Sequence, residues 1–156
     1  MSTKKILLFK GESQYDVMRI FTDELNNAFQ KLGFETILID LLAPGANEKI
    51  QQSFEKNKLH FVLGMNGVGF NIVANQTTPI YDFLKVPFFY FFVDHPAYLD
   101  KRITYKMEYK IMSFVDHTHI DFMRYFYGDL TFYVHNTHAG TYAESNFEKE
   151  ENRNIV

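Results

Sequence analysis

The chain of 156 residues is about one domain's worth, and its 17 Phe and 10 Tyr give it the apolar volume for one real core. A net charge of −3 with scattered basic residues leaves no footprint for nucleic acid, and the lack of cysteine excludes disulfides, thiolate metal sites and a cysteine nucleophile while fitting a reducing compartment. The run Ile6 to Phe9 is too short for a signal peptide and no stretch is long enough for a membrane span, so the expectation is a soluble, cytoplasmic protein.

Along the chain, strand and helix patterns alternate. Lys5 to Phe9 is a short apolar run ended by Gly11, a first strand entering a loop. Val17, Ile20, Phe21, Leu25, Ala28, Phe29 and Leu32 recur at spacings of three and four, one apolar helix face. Ser13 or Asp16 is placed to cap that helix, and Gly33 to close it in the left-handed conformation. Glu35 to Asp40 reads as a second strand, Pro44 and Gly45 break the chain, and Ile50 and Phe54 mark a weaker helix from about Asn47 to Lys56.

Leu59 to Leu63 reads as a third strand, with His60 as a bonded structural histidine, and runs into the glycine-rich loop Gly64-Met65-Asn66-Gly67-Val68-Gly69. A short helix from about Pro79 to Leu84 leads to the run on which the chain is organised, Val86-Pro87-Phe88-Phe89-Tyr90-Phe91-Phe92-Val93. With no period-2 alternation, this is a strand buried on both faces, and it ends abruptly in Asp94-His95-Pro96. A helical turn then precedes a fifth strand, Tyr109 to Val115, ended by Asp116-His117. Ile120, Met123, Phe126 and Tyr127 give a last helix closed by Gly128, and Leu130 to Val134 a sixth strand ended by His135-Asn136.

Short connections between alternating elements imply right-handed crossovers. The predicted fold is α/β, a doubly wound, mostly parallel six-stranded Rossmann-like sheet with helices on both faces. Residues 1–143 form the domain and 144–156 a charged linker. In a parallel sheet all the polar strand ends lie along one edge, where open α/β sheets bind ligands.

Several candidates follow. The loop around Asn66 and Gly67 either lets backbone amides approach a phosphate, sugar or carboxylate or is a tight strand-to-helix turn; it matches neither a P-loop nor a dinucleotide fingerprint. Gly11, Ser13 and Gln14, leading into a helix N-terminus, form a second anion or hydroxyl site with the same bland alternative. His95 beside Asp94 is a candidate general base toward a hydroxyl, although Asp94 could instead bond its neighbouring backbone before Pro96. His117-x-His119, with Asp94, His95, Asp116, His135 and His138 nearby, raises a metal site. If Asp116 caps the following helix, however, residues 117 and 119 lie about 200° apart, which favours no metal. Tyr98 and Tyr105 are placed to stack on a sugar, and no G-x-S-x-G elbow is present.

The opening Lys4-Lys5-Ile6-Leu7-Leu8-Phe9 with Ser13-Gln14-Tyr15-Asp16, the segment Phe91-Phe92-Val93-Asp94-His95-Pro96-Ala97-Tyr98-Leu99-Asp100, the later Val115-Asp116-His117-Thr118-His119 and Phe132-Tyr133-Val134-His135 resemble the amino-terminal half of bacterial GT-B glycosyltransferases. The nearest group is that related to the spore-maturation protein CgeB. One departure is the stretch Val134-His135-Asn136-Thr137-His138, where the family often carries a Pro-His-Gly-type turn.

The resemblance implies an acceptor-side domain that is inactive alone, with most of the nucleotide-sugar donor held by a second domain. The acceptor would be a sugar or protein, and no metal or other cofactor is required. His95 or Asp94 would deprotonate or orient the acceptor hydroxyl. Gly11, Ser13, Gln14, Asn66 and Gly67 would line the cleft near the donor phosphates, with Tyr98, Asp116 and His117 on the substrate side. A homodimer through an apolar surface is compatible with this reading. The alternatives are a stand-alone flavodoxin-like or receiver-like module binding a small ligand or partner, and a metal-dependent hydrolase.

Overall fold

The structure, a computed structural model, describes residues 5–136; the linker expected over 144–156 and the candidate ligand His138 lie outside that range. Six strands form one all-parallel sheet in the order β2-β1-β3-β4-β5-β6. They are β1 (Lys5–Lys10), β2 (Thr36–Asp40), β3 (Leu59–Met65), β4 (Phe88–Phe92), β5 (Lys110–Phe114) and β6 (Phe132–His135). Between them run α1 (Val17–Lys31), α2 (Ala46–Lys56), α3 (Ile80–Leu84), α4 (Asp100–Ile103) and α5 (His117–Tyr127). The architecture is α/β, Rossmann-like and doubly wound.

Alternation along each strand divides the core in two. On one side Leu7, Phe9, Val62, Tyr90 and Phe92 face α2, α3, α4 and α5, which contribute Phe54, Tyr81, Ile103, Ile120 and Met123. Tyr81, Phe88, Tyr90, Phe92 and Phe114 form a ladder of rings with successive centroids 4.5, 4.7, 5.4 and 5.1 Å apart. Burial of each such ring contributes about 1.5–3 kcal/mol. On the other side Ile6, Leu8, Leu63 and Met65 meet Met18, Phe21, Leu25 and Phe29 of α1.

The two sides are not equally covered. Among the described residues only α1 packs against the second side, so Phe89, Phe91 and Ile111 line an open apolar groove there. The β4 burial pattern follows: Phe88, Tyr90 and Phe92 are buried, while Phe89 and Phe91 are partly exposed. The sequence run predicts burial on both faces, and the structure completes it on one.

Two local readings are corrected. Neither Ser13 nor Asp16 caps α1 through its side chain; the backbone passes instead through left-handed conformations at Tyr15 (φ 55°) and Asp16 (φ 58°), and Asp16 pairs with Arg19 at 3.4 Å. His60, expected to be a bonded structural residue, is exposed. Gly33, by contrast, closes α1 with φ +86° and donates its N–H to the Gln30 carbonyl, a left-handed stop that only glycine adopts without strain.

Candidate functional site

In a doubly wound sheet the ligand crevice opens where successive connections leave toward opposite sides. Here that point lies between β1, whose chain goes on to β2 at its left, and β3, whose chain goes on to β4 at its right. The loops after the two strands touch: a Cβ on Gly11 would lie 2.6 Å from a Val68 methyl, so glycine at 11 is what permits the approach. A cavity of about 420 Å³ opens at this junction, and Ser13, Gln14, Asn66 and Asp94 line it together. Glu12, Tyr15 and Arg102 complete its polar wall, and Val17, Met18, Met65, Val68 and Leu99 its apolar one.

Asn66 organises the polar wall. Its side chain is buried, with 6 % relative exposure, and its backbone is left-handed at φ 49°, a conformation asparagine tolerates better than most residues. Nδ2 donates to Asp94 Oδ2 at 2.7 Å, while Oδ1 accepts from the backbone N–H groups of Val93 and Asp94 at 3.0 and 3.3 Å. The end of β4 is thereby fastened to the end of β3. Among the described residues no protein group donates to Asp94 Oδ1, which leaves that oxygen for a ligand.

Arg102, from α4, holds Asn66 in turn by donating from Nη1 to its carbonyl oxygen. Burial lowers the Arg102 pKa, and the opposing charge of Asp94 supports the guanidinium. No sequence signal singles out Arg102, because it stands in a four-residue helix whose place beside the crevice is set by long-range packing.

His95 points elsewhere. Its Nδ1 accepts the Ala97 N–H at 3.1 Å, so the neutral ring carries its proton on Nε2 and presents a donor. The ring lies against His119 and Phe122 of α5, with centroids 4.7 and 4.9 Å away. His119, which sequence reading considers only as a metal ligand, is the partner in that contact; burial and the neighbouring His95 lower its pKa. The adjacent Asp94 and His95 thus serve different surroundings.

The other candidates divide in the same way. Gly67 (φ +77°) is buried, and a Cβ there would meet the Tyr90 ring at 2.6 Å, so its lack of a side chain serves packing. Tyr98 is 85 % exposed beside His95, whereas Tyr105 packs edge-on against Phe70 at 5.1 Å. Asp116 caps α5, accepting from Thr118 N and Oγ1 at 2.8 Å each. Those bonds hold its carboxyl below the usual range. His117 pairs with Asp121 at 3.3 Å and has His135 as a neighbour at 6.1 Å, so His117 and His119 look to different partners. Among the described residues no group of three or more His, Asp or Glu side chains is arranged to hold a metal ion, and no helix is long and apolar enough to cross a membrane.

No protein-family model, curated protein or solved structure matches the chain.

Proposed function

We propose that this chain is the acceptor-side domain of a nucleotide-sugar-dependent glycosyltransferase of the GT-B type, inactive without a donor-binding partner domain. The observation that supports the reading most is the Asp94 carboxylate. It is fixed on Oδ2 by Asn66, has no donor to Oδ1 among the described residues, and stands in a half-polar crevice at the switch point of the sheet. A carboxylate so placed accepts a hydrogen bond from a hydroxyl and orients it for transfer. The geometry favours Asp94 over His95 for that task, because the neutral His95 ring presents an N–H rather than a lone pair.

The test is transfer or hydrolysis of nucleotide-sugars by the product of the full reading frame, compared with its Asp94→Asn and His95→Ala variants. Asp94→Asn is expected to lower turnover by about 10²-fold or more with little change in melting temperature, and His95→Ala by much less. Unchanged turnover in Asp94→Asn would remove the carboxylate from the chemistry. The strand order β2-β1-β3-β4-β5 also favours a second reading, since it is the order of flavodoxin-like modules. A yellow, flavin-bearing preparation would decide for that one.

A further inference from the structure

All-parallel sheets occur with helices over both faces, yet among the described residues α1 alone packs on the second side. Phe89 and Phe91 pair in register with Ile111 and Ser113, and these with Phe132 and Val134, so the six side chains share one face of β4, β5 and β6. Phe132 is 78 % exposed, and Phe89, Phe91 and Ile111 line a groove of about 420 Å³ beside Leu25 and Phe29. Ser113 stands among them with a buried hydroxyl that has no partner within the described residues. Such an apolar patch on parallel strands calls for a covering element.

The hand of the connections points to the segment that fits. The helices α3, α4 and α5, which carry the chain toward β6, lie on the first side, and α1, which carries it the opposite way to β2, lies on the second. A segment that leaves β6 and turns back across the sheet keeps that hand only on the second side. Residues 137–156 follow β6, outside the described range. In them Ala139, Tyr142, Ala143 and Phe147 recur at spacings of three and four, while Glu144, Ser145 and Glu148 fall opposite, the pattern of an amphipathic helix. Asn146 falls within the apolar stripe, a polar group suited to the Ser113 hydroxyl. As a helix, residues 139–149 are about 16 Å long, against about 10 Å from β6 to β4. We infer that this segment lies across β6, β5 and β4 and covers Phe132, Ile111 and Phe91. The crevice and its ligand play no part in this cover.

The chain has no cysteine, so Ser145→Cys gives a single site for a nitroxide on the isotope-labelled 156-residue protein. Paramagnetic loss of the amide signals of Phe91, Ile111 and Phe132 is expected, with those of Ile50 and Phe54 in α2, on the first side, retained. Adding Phe147→Asp to the nitroxide-bearing protein should restore the lost signals, while the α2 signals show that the fold is intact. Retained signals of Phe91 and Ile111 in Ser145→Cys, or no restoration by Phe147→Asp, would overturn the assignment of this segment. So would the same loss in isotope-labelled wild type mixed with unlabelled, nitroxide-bearing chain, since the cover is then a second copy.

Discussion

Two strands of this sheet end in the same dipeptide, and the structure uses the two copies differently. Asp116-His117 closes on itself: the carboxylate bonds Thr118, two residues away, and the imidazole pairs one turn along its own helix with Asp121. Asp94-His95 is held from a distance: Asn66, 28 residues earlier, fastens the carboxylate, and Arg102, 36 residues beyond Asn66, fastens Asn66. A carboxylate satisfied by its own neighbours is a cap. One positioned by other strand ends, with an oxygen left over, is a candidate for chemistry.

The largest effect is expected where the crevice rests on the sheet. A Cβ on Gly64 would lie 2.1 Å from the Val68 carbonyl oxygen and 2.9 Å from the Phe88 ring, and the carbonyl belongs to a backbone that cannot turn aside. Gly64→Ala should cost about 3 kcal/mol or more, visible as a large drop in the urea midpoint; a near-normal midpoint would mean that the loop is looser than described. Next is Asn66→Ala, which strands two backbone N–H groups and a carboxylate together. Its expected cost is about 2–3 kcal/mol, with loss of ligand binding. At the other dipeptide Asp116→Ala removes only a helix cap, worth about 1 kcal/mol, and should leave ligand binding intact.

Acid titration separates the two sides of the sheet edge further. The Arg19 guanidinium holds the Asp40 carboxyl at about 2, below its unfolded value. Its contribution is therefore complete above about pH 4 and lost as the pH falls toward 2. His119 is lowered instead by burial and by His95. Its neutral form is the one the fold prefers, so stability is complete above about pH 6.5 and declines as the pH falls below that. Equilibrium unfolding against pH should show both limbs: Asp40→Asn should abolish the lower one and His119→Phe the upper. Persistence of the upper limb in His119→Phe would assign it to another histidine.

Much of the fold is legible in the sequence because parallel strands appear as apolar runs and α1 as a three-and-four spacing that Gly33 ends, although Val17, Ile20 and Leu32 of the expected apolar face are exposed and Met18 joins Phe21, Leu25 and Phe29 in the packed one. Each of the six strands lies within about two residues of its expected place, within the usual scatter of element boundaries. The coverage of the sheet is less legible. Phe89 and Phe91 look the same in sequence whether or not a helix lies over them, so the run in β4 cannot distinguish one buried face from two. The helix caps divide according to reach: Asp116 acts through residues beside it, whereas the start of α1 depends on a left-handed turn at Tyr15 and Asp16 that no composition rule selects.

The candidate site is legible in outline and not in detail. Ser13, Gln14, Asn66 and Asp94 converge because parallel strands bring their carboxyl ends to one edge. The bond between Asn66 and Asp94 and the support from Arg102 depend on register and packing between distant segments, which one sequence does not encode in a local pattern. Asp94 and His95 are adjacent, yet their side chains leave the chain in different directions, one into the crevice and the other onto α5.

The deciding measurement is ligand titration of the wild-type chain beside Asp94→Asn and Asp116→Asn, with glucose as the probe and the amide signals of the crevice as the readout. Binding that survives Asp116→Asn and is lost in Asp94→Asn, with both variants folded, is the predicted result. Equal binding by all three proteins, or loss in Asp116→Asn alone, would contradict the assignment of the crevice carboxylate as the functional group.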